Sequence, residues 1–140
     1  MFAKEGLLMI IRLDMQSELP IYTQLINQII EGIASGSLQP GEDLPSVRSL
    51  AADIGVNLHT INKAYTLLKQ EGYIQIHRQK GVVVNPDGMP PATPEFEQKQ
   101  AEQFRPLIAE AICRSMDKAS LLQIVESIYE DILHGKKENA

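Results

Sequence analysis

Five side chains crowded into residues 58–63, namely Leu58, His59, Thr60, Asn62 and Lys63, bring donors, acceptors and a cation to what reads as the start of a helix. Asn, His and Thr in that place suit the edges of base pairs in a DNA major groove, and Lys63 suits a phosphate or a guanine. A second cluster follows at His77-Arg78-Gln79-Lys80-Gly81, where Arg78 and Lys80 would lie along a phosphate backbone or enter a minor groove. Catalysis has no comparable constellation. The histidines, His59, His77 and His134, are scattered, and no Gly-x-Ser-x-Gly, His-Glu-x-x-His or Walker motif occurs. Cys113 is the single cysteine, which leaves no intrachain disulfide and suggests no metal cluster. No catalytic residue, metal or cofactor is expected, and the reading is not an enzyme.

These groups need a platform. Ser46 is a good N-cap, and Val47, Leu50, Ala51 and Ile54 mark one face of a short helix that Gly55 ends. Asn57 caps the next helix, whose inner face is Ile61, Ala64, Tyr65 and Leu68 and whose end is Gly72. Two short helices, a glycine turn of about three or four residues and a small alanine at the crossing predict a helix-turn-helix. Tyr73-Ile74-Gln75-Ile76 and Val82-Val83-Val84 then flank the basic tip as a hairpin, which makes it the wing of a winged helix. Taken singly, Arg48, Lys63 and Lys80 look like solvated surface charges, and His59 or Gly55 alone says little. The ordered series of cap, glycine turn, polar helix start and basic hairpin, all within about forty residues, carries the reading.

The run Leu38-Gln39-Pro40-Gly41-Glu42-Asp43-Leu44-Pro45-Ser46-Val47-Arg48-Ser49-Leu50-Ala51 resembles the signature of the GntR family of bacterial transcription regulators. Asn62-Lys63-Ala64-Tyr65 with Leu68, Glu71 and Gly72 continues the match, and the short C-terminal tail resembles the YtrA subfamily. The resemblance implies a dimeric winged-helix regulator, a repressor, in which the arginine of the Leu-Pro-Ser-x-Arg motif, here Arg48, contacts DNA. Family members often carry another arginine at the second position of the recognition helix; Leu58 stands there in this chain, and a thymine methyl becomes its partner. The expected DNA-contact set is Ser46, Arg48, Asn57, Leu58, His59, Thr60, Asn62, Lys63, Arg78, Lys80 and Gly81.

Ahead of this segment, Ile10-Ile11-Arg12-Leu13 reads as a short strand at the edge of the small sheet. Pro20 opens a helix whose apolar stripe is Ile21, Leu25, Ile26, Ile29, Ile30 and Ile33 and which Gly36 ends; Tyr22 near its start either reaches a phosphate or packs. Pro40-Gly41 fits the centre of a type II turn. With 140 residues and 44% apolar content, the chain makes one ordinary domain or a small domain with an appendage. Leu7-Leu8-Met9-Ile10-Ile11 is too short to cross a bilayer and lacks a small-residue cleavage site after it, so a cytoplasmic protein is expected. The net charge of −5 is segregated. Ser46 to Asn85 holds five basic residues (Arg48, Lys63, Lys69, Arg78, Lys80) against two acidic (Asp53, Glu71), whereas from Pro86 onward six basic face ten acidic. A basic head with an acidic tail predicts on the order of four phosphate contacts per subunit and keeps the tail off the duplex.

Four prolines and a glycine between Pro86 and Pro94 mark a stiff linker. Beyond it Phe104, Ile108, Ala111 and Ser115 recur at helical spacing, as do Leu121, Val125, Ile128 and Ile132. Pro106 should kink the first of these helices or start a new one, Ser120 with Gln123 resembles a capping box for the second, and Gly135 stops it. Two such helices do not bury their stripes on each other alone; they need either the winged-helix head or a second copy, and the stiff linker favours the copy, which is expected to cover Phe104, Ile108, Ala111, Leu121, Val125, Ile128 and Ile132. The expected layout is mainly helical α+β. It has a winged helix-turn-helix head with a small β-hairpin wing at 1–85, a linker at 86–94, a two-helix dimerisation region at 95–135 and a disordered tail at 136–140. The homodimer would bind double-stranded DNA at an inverted-repeat operator. About forty-five tail residues leave little room for a closed pocket, so a small-molecule effector would bind between subunits or at the linker; no membrane partner is expected. The competing function is a winged helix used only for protein contacts. It predicts an uncharged wing and recognition helix, which Arg78, Lys80 and Lys63 oppose.

Overall fold

The structure, a computed structural model, describes residues 6–7 and 10–135. The chain divides into two compact units, Met1–Met89 and Pro90–Ala140. The head contains helices α1 (Ile21–Ser35), α2 (Val47–Ile54) and α3 (Leu58–Gln70) with strands β1 (Asp43–Leu44), β2 (Ile74–His77) and β3 (Gly81–Val84). The caps are those the sequence predicts. Ser46 Oγ accepts the Ser49 N–H at 3.1 Å, and Asn57 Oδ1 accepts the His59 N–H at 2.7 Å. Between α2 and α3 the chain turns at Gly55, whose φ of +68° is left-handed and whose N–H returns to the Ala51 carbonyl. A Cβ there would meet nothing within 4 Å, so glycine serves the backbone conformation and not the space.

One core holds the head together. Leu25 and Ile29 of α1, Leu50 of α2, and Ile61, Ala64, Tyr65 and Leu68 of α3 close over Leu44, Ile74, Val82 and Val84 of the sheet. Ile26, Ile30 and Ile33 pack half-buried at its margin, as the α1 stripe predicts. The Tyr65 hydroxyl donates to the Pro45 carbonyl at 2.8 Å, and burial pushes its phenol pKa well above the ordinary value. That bond ties the middle of α3 to the residue just before the α2 cap.

The sheet has the order β1-β3-β2, antiparallel throughout. It therefore has one strand more than the hairpin. Leu44 pairs with Val82, and bonds from Gly41 N–H to the Val84 carbonyl and from Val84 N–H to the Glu42 carbonyl, both 2.9 Å, prolong the ladder. The type II turn that feeds β1 is present: Gly41 has φ +80°, and the Glu42 N–H bonds to the Gln39 carbonyl at 3.0 Å.

The expected strand at Ile10–Leu13 is not formed. Ile10 is helical, and residues 11–14 have no regular element. The backbone groups of Arg12 and Asp14 are satisfied instead by two glutamines one turn apart on α1. Gln28 accepts from the Arg12 N–H and donates to the Arg12 carbonyl, both at 2.7 Å. Gln24, almost fully buried, accepts from the Asp14 N–H at 2.8 Å and donates to the Asp14 and Leu19 carbonyls, each at 2.9 Å. A primary amide has the donor and acceptor of a peptide group, so the pair supplies the bonds a neighbouring strand would have supplied.

The second unit holds α4 (Pro94–Cys113), α5 (Lys118–Glu130) and a π-helical turn (Asp131–Gly135). Thr93 Oγ1 caps α4 through the Phe96 N–H at 3.1 Å, so Pro94 is the first helical residue and not the last of the linker. Of the two outcomes expected at Pro106, a kink or a new helix, the new helix does not occur: α4 runs through it. Pro106 has no N–H to give the carbonyl of Glu102, an exposed residue one turn earlier. Nor does the helix reach Ser115. That residue is left-handed with φ 63°, and the Met116 N–H closes on the Ala111 carbonyl at 3.0 Å. Asp117, not Ser120, caps α5; its Oδ1 accepts the Ser120 N–H at 2.8 Å, which holds the carboxyl below its ordinary pKa. The C-terminal tail expected at 136–140 lies outside the described residues. Among the described residues no helix is long and apolar enough to cross a membrane.

Candidate nucleic-acid interface

Burial of Ile61, Ala64, Tyr65 and Leu68 turns the opposite side of α3 outward. His59, Asn62 and Lys63 are exposed there, while Thr60 and Leu58, which is the first residue of α3 and stands second only if the Asn57 cap is counted, are half-buried at its flanks. Exposed Thr66 joins this face. It is one turn beyond Asn62 and Lys63, and the same periodicity that places them would have found it. Arg48 is exposed at the second position of α2. Arg78 and Lys80 are exposed in the three-residue turn between β2 and β3, which closes on left-handed Gly81, φ +80°. A three-residue loop followed by a left-handed glycine is a standard hairpin closure and holds both cations at the tip.

Ser46 and Asn57 are engaged differently. Each side-chain oxygen accepts one helix-cap bond, so what remains to a ligand is the Ser46 hydroxyl proton, the Asn57 amide hydrogens and a second lone pair on each oxygen. Both caps thereby fix the first turns that carry Arg48 and His59.

The electrostatics of the head are open. Among the described residues none of Arg48, Lys63, Arg78 or Lys80 forms an ion pair, and the pairs that do form, Arg114–Glu110 at 3.9 Å and His134–Glu130 at 3.5 Å, lie in the tail. Lys63 has another partner, its Nζ standing 3.9 Å from the centroid of the Tyr22 ring. On the wing, a His77 ring nitrogen meets Gln75 Oε1 at 2.9 Å. Among the described residues no group of three His, Cys, Asp or Glu side chains is arranged to hold a metal ion.

In the second unit Phe104, Ile108, Val125 and Ile128 are all more than a third exposed, while Ala111, Leu121 and Ile132 are half-buried. Ile132 falls in the π-helical turn and not in α5. The apolar surface is wider than the expected stripe, for Leu107, Ile112, Leu122 and Tyr129 are exposed as well. No residue of α4 or α5 is buried within one chain.

The family model described as bacterial regulatory proteins, gntR family, matches residues 21–84, from the start of α1 to the end of β3. The chain is 33% identical over 129 residues to the HTH-type transcriptional repressor YtrA of Bacillus subtilis (strain 168), an alignment spanning 92% of this chain and 99% of that one. Among solved structures, a transcriptional antiterminator from Listeria monocytogenes EGD-e superposes with a TM-score of 0.81 at 26% identity, covering 88% of this chain and 92% of that one. YtrA from Sulfolobus acidocaldarius, a GntR-family transcription factor, superposes with a TM-score of 0.52 at 35% identity, covering 86% and 97%. The head that carries α3 and the wing is a winged helix-turn-helix, and the chain belongs to the GntR family of bacterial regulatory proteins, in its YtrA subfamily.

Proposed function

We propose that the protein is a cytoplasmic, sequence-specific DNA-binding repressor that acts as a homodimer on an inverted-repeat operator. The observation that carries this reading is the outward face of α3 with the wing beside it, where Arg48, Arg78 and Lys80 have no carboxylate partner among the described residues. His59, Asn62 and Thr66 supply donors and acceptors for base edges, Leu58 an apolar contact for a thymine methyl, and the cations neutralise phosphates. The name repressor is that of the Bacillus subtilis relative.

Dimerisation rests on the second unit. Two helices with no fully buried residue within one chain carry Phe104, Ile108, Val125 and Ile128 on their surface, a run of exposed apolar side chains of the kind that marks an interface. A second copy covers it most economically, since the same stripe is presented twice. Two-fold pairing then sets the two α3 helices roughly 34 Å apart or a multiple of that, so the operator is an inverted repeat. Any small-molecule effector would sit between subunits or at the linker.

Selection from a pool of random duplexes tests the reading. An enriched motif with two-fold symmetry supports it, and a pool that stays random at low salt sinks it.

A further inference from the structure

We infer that Tyr22 positions Lys63 as a backbone contact: its ring holds the ammonium at the flank of α3, so that Lys63 meets a phosphate and leaves the base edges to His59 and Asn62. The inference rests on the DNA-binding reading above and deepens it. A lysine on the outer side of a recognition helix has two destinations, a guanine edge deep in the groove or a phosphate on its rim. Four rotatable bonds let a free lysine sample both. Here Nζ stands 3.9 Å from the Tyr22 centroid, within the range of a cation–π contact.

Tyr22 can hold it because Tyr22 is itself held. It is the second residue of α1, half-buried and packed against the head core, while Lys63 is exposed. The ammonium is thus drawn toward α1, while His59 and Asn62 stay exposed on the outer side of α3. A ring face attracts the cation without neutralising it, so the full charge stays available to a phosphate, and less side-chain entropy is lost when that phosphate arrives.

A thermodynamic cycle on the full chain tests this, with Tyr22→Leu, Tyr22→Phe, Lys63→Met and the Tyr22→Leu/Lys63→Met double variant titrated against a selected operator and an unrelated duplex. Lys63→Met should weaken both duplexes alike, leave base preference unchanged and reduce the salt slope by about one per subunit. Tyr22→Leu should weaken binding roughly two- to fivefold per subunit. Tyr22→Phe, which keeps the ring, should not, and Tyr22→Leu should add nothing once Lys63 is gone. An undiminished effect of Tyr22→Leu in the Lys63→Met background, or a changed base preference for Lys63→Met, overturns the assignment. NMR of the wild-type chain gives a reading that survives an unfolded variant: the Lys63 ε-methylene protons should be shifted upfield by the ring, and an ordinary lysine shift overturns the pairing. A wild-type chain that ignores every duplex defeats the DNA-binding reading and this inference with it. Intact binding with no coupling in the cycle defeats this inference alone.

Discussion

Removing the two wing-tip cations together, Arg78→Ala with Lys80→Ala, should change how binding responds to salt more than it changes the protein. Four exposed cations of the head, Arg48, Lys63, Arg78 and Lys80, are placed to meet phosphates, which makes about eight in a dimer. At about 0.9 released counterions per contact, the logarithm of the association constant should fall with the logarithm of salt at a slope of about −7. Raising salt from about 50 to 200 mM then costs the wild type on the order of 10⁴-fold in affinity. The double variant loses half the contacts, so its slope should be about −4 and its loss over the same range on the order of 10²-fold. Stability should hardly move, within about 0.5 kcal/mol, because both side chains are exposed and neither forms an ion pair among the described residues. Fluorescence anisotropy of a labelled duplex, repeated across the salt range with calorimetry of each protein, measures both quantities. A variant slope equal to that of the wild type would refute the placement of the wing on the phosphate backbone.

Tyr65→Phe strands the buried Pro45 carbonyl and should cost about 2 kcal/mol, lowering Tm on the order of 10 °C by calorimetry; an unchanged Tm would mean the bond contributes nothing. Because burial raises the Tyr65 pKa in the folded state, stability is whole below the unfolded phenol value near 10 and is lost as pH rises above it, and urea unfolding should show a shallower alkaline limb for Tyr65→Phe than for wild type. Asp117 has the opposite sign. Its depressed pKa makes the α5 cap effective above the ordinary carboxylate range and lost as pH falls through the folded value, so acid-induced loss of helicity by circular dichroism should be blunted in Asp117→Asn; an identical acid profile would remove the charge from the explanation. Val125→Asp with Ile128→Asp should give a monomer in sedimentation velocity that binds half-sites weakly, and an unchanged sedimentation coefficient would end the dimerisation assignment.

The helix-turn-helix was legible in the sequence because each of its features is local. A serine cap, an asparagine cap and a left-handed glycine act on their immediate neighbours, so their spacing alone predicts α2, Gly55 and α3. The outward face of α3 follows from the same periodicity, which also contains Thr66. What the sequence hid depends on distant partners. The Ile10–Leu13 segment has strand-like residues, but whether it pairs is decided by Gln24 and Gln28 on α1, which replace the missing strand. A two-residue β1 is too short to show alternation, and only Val82 and Val83 opposite it reveal its register. At the start of α5, Asp117 and Ser120 are both good caps; the left-handed turn at Ser115 sets where the helix begins and decides between them. The Tyr22–Lys63 contact joins residues far apart in the chain, and no local pattern announces it.

The outward face of α3 is proposed to read base pairs. Its most direct test is selection from random duplexes carried out in parallel with the wild type, His59→Ala and Asn62→Ala. A two-fold symmetric motif is expected for the wild type and, for each variant, relaxed preference at one step of each half-site with the rest of the motif kept. A motif that survives both substitutions intact, with affinity falling equally for every sequence, would contradict it.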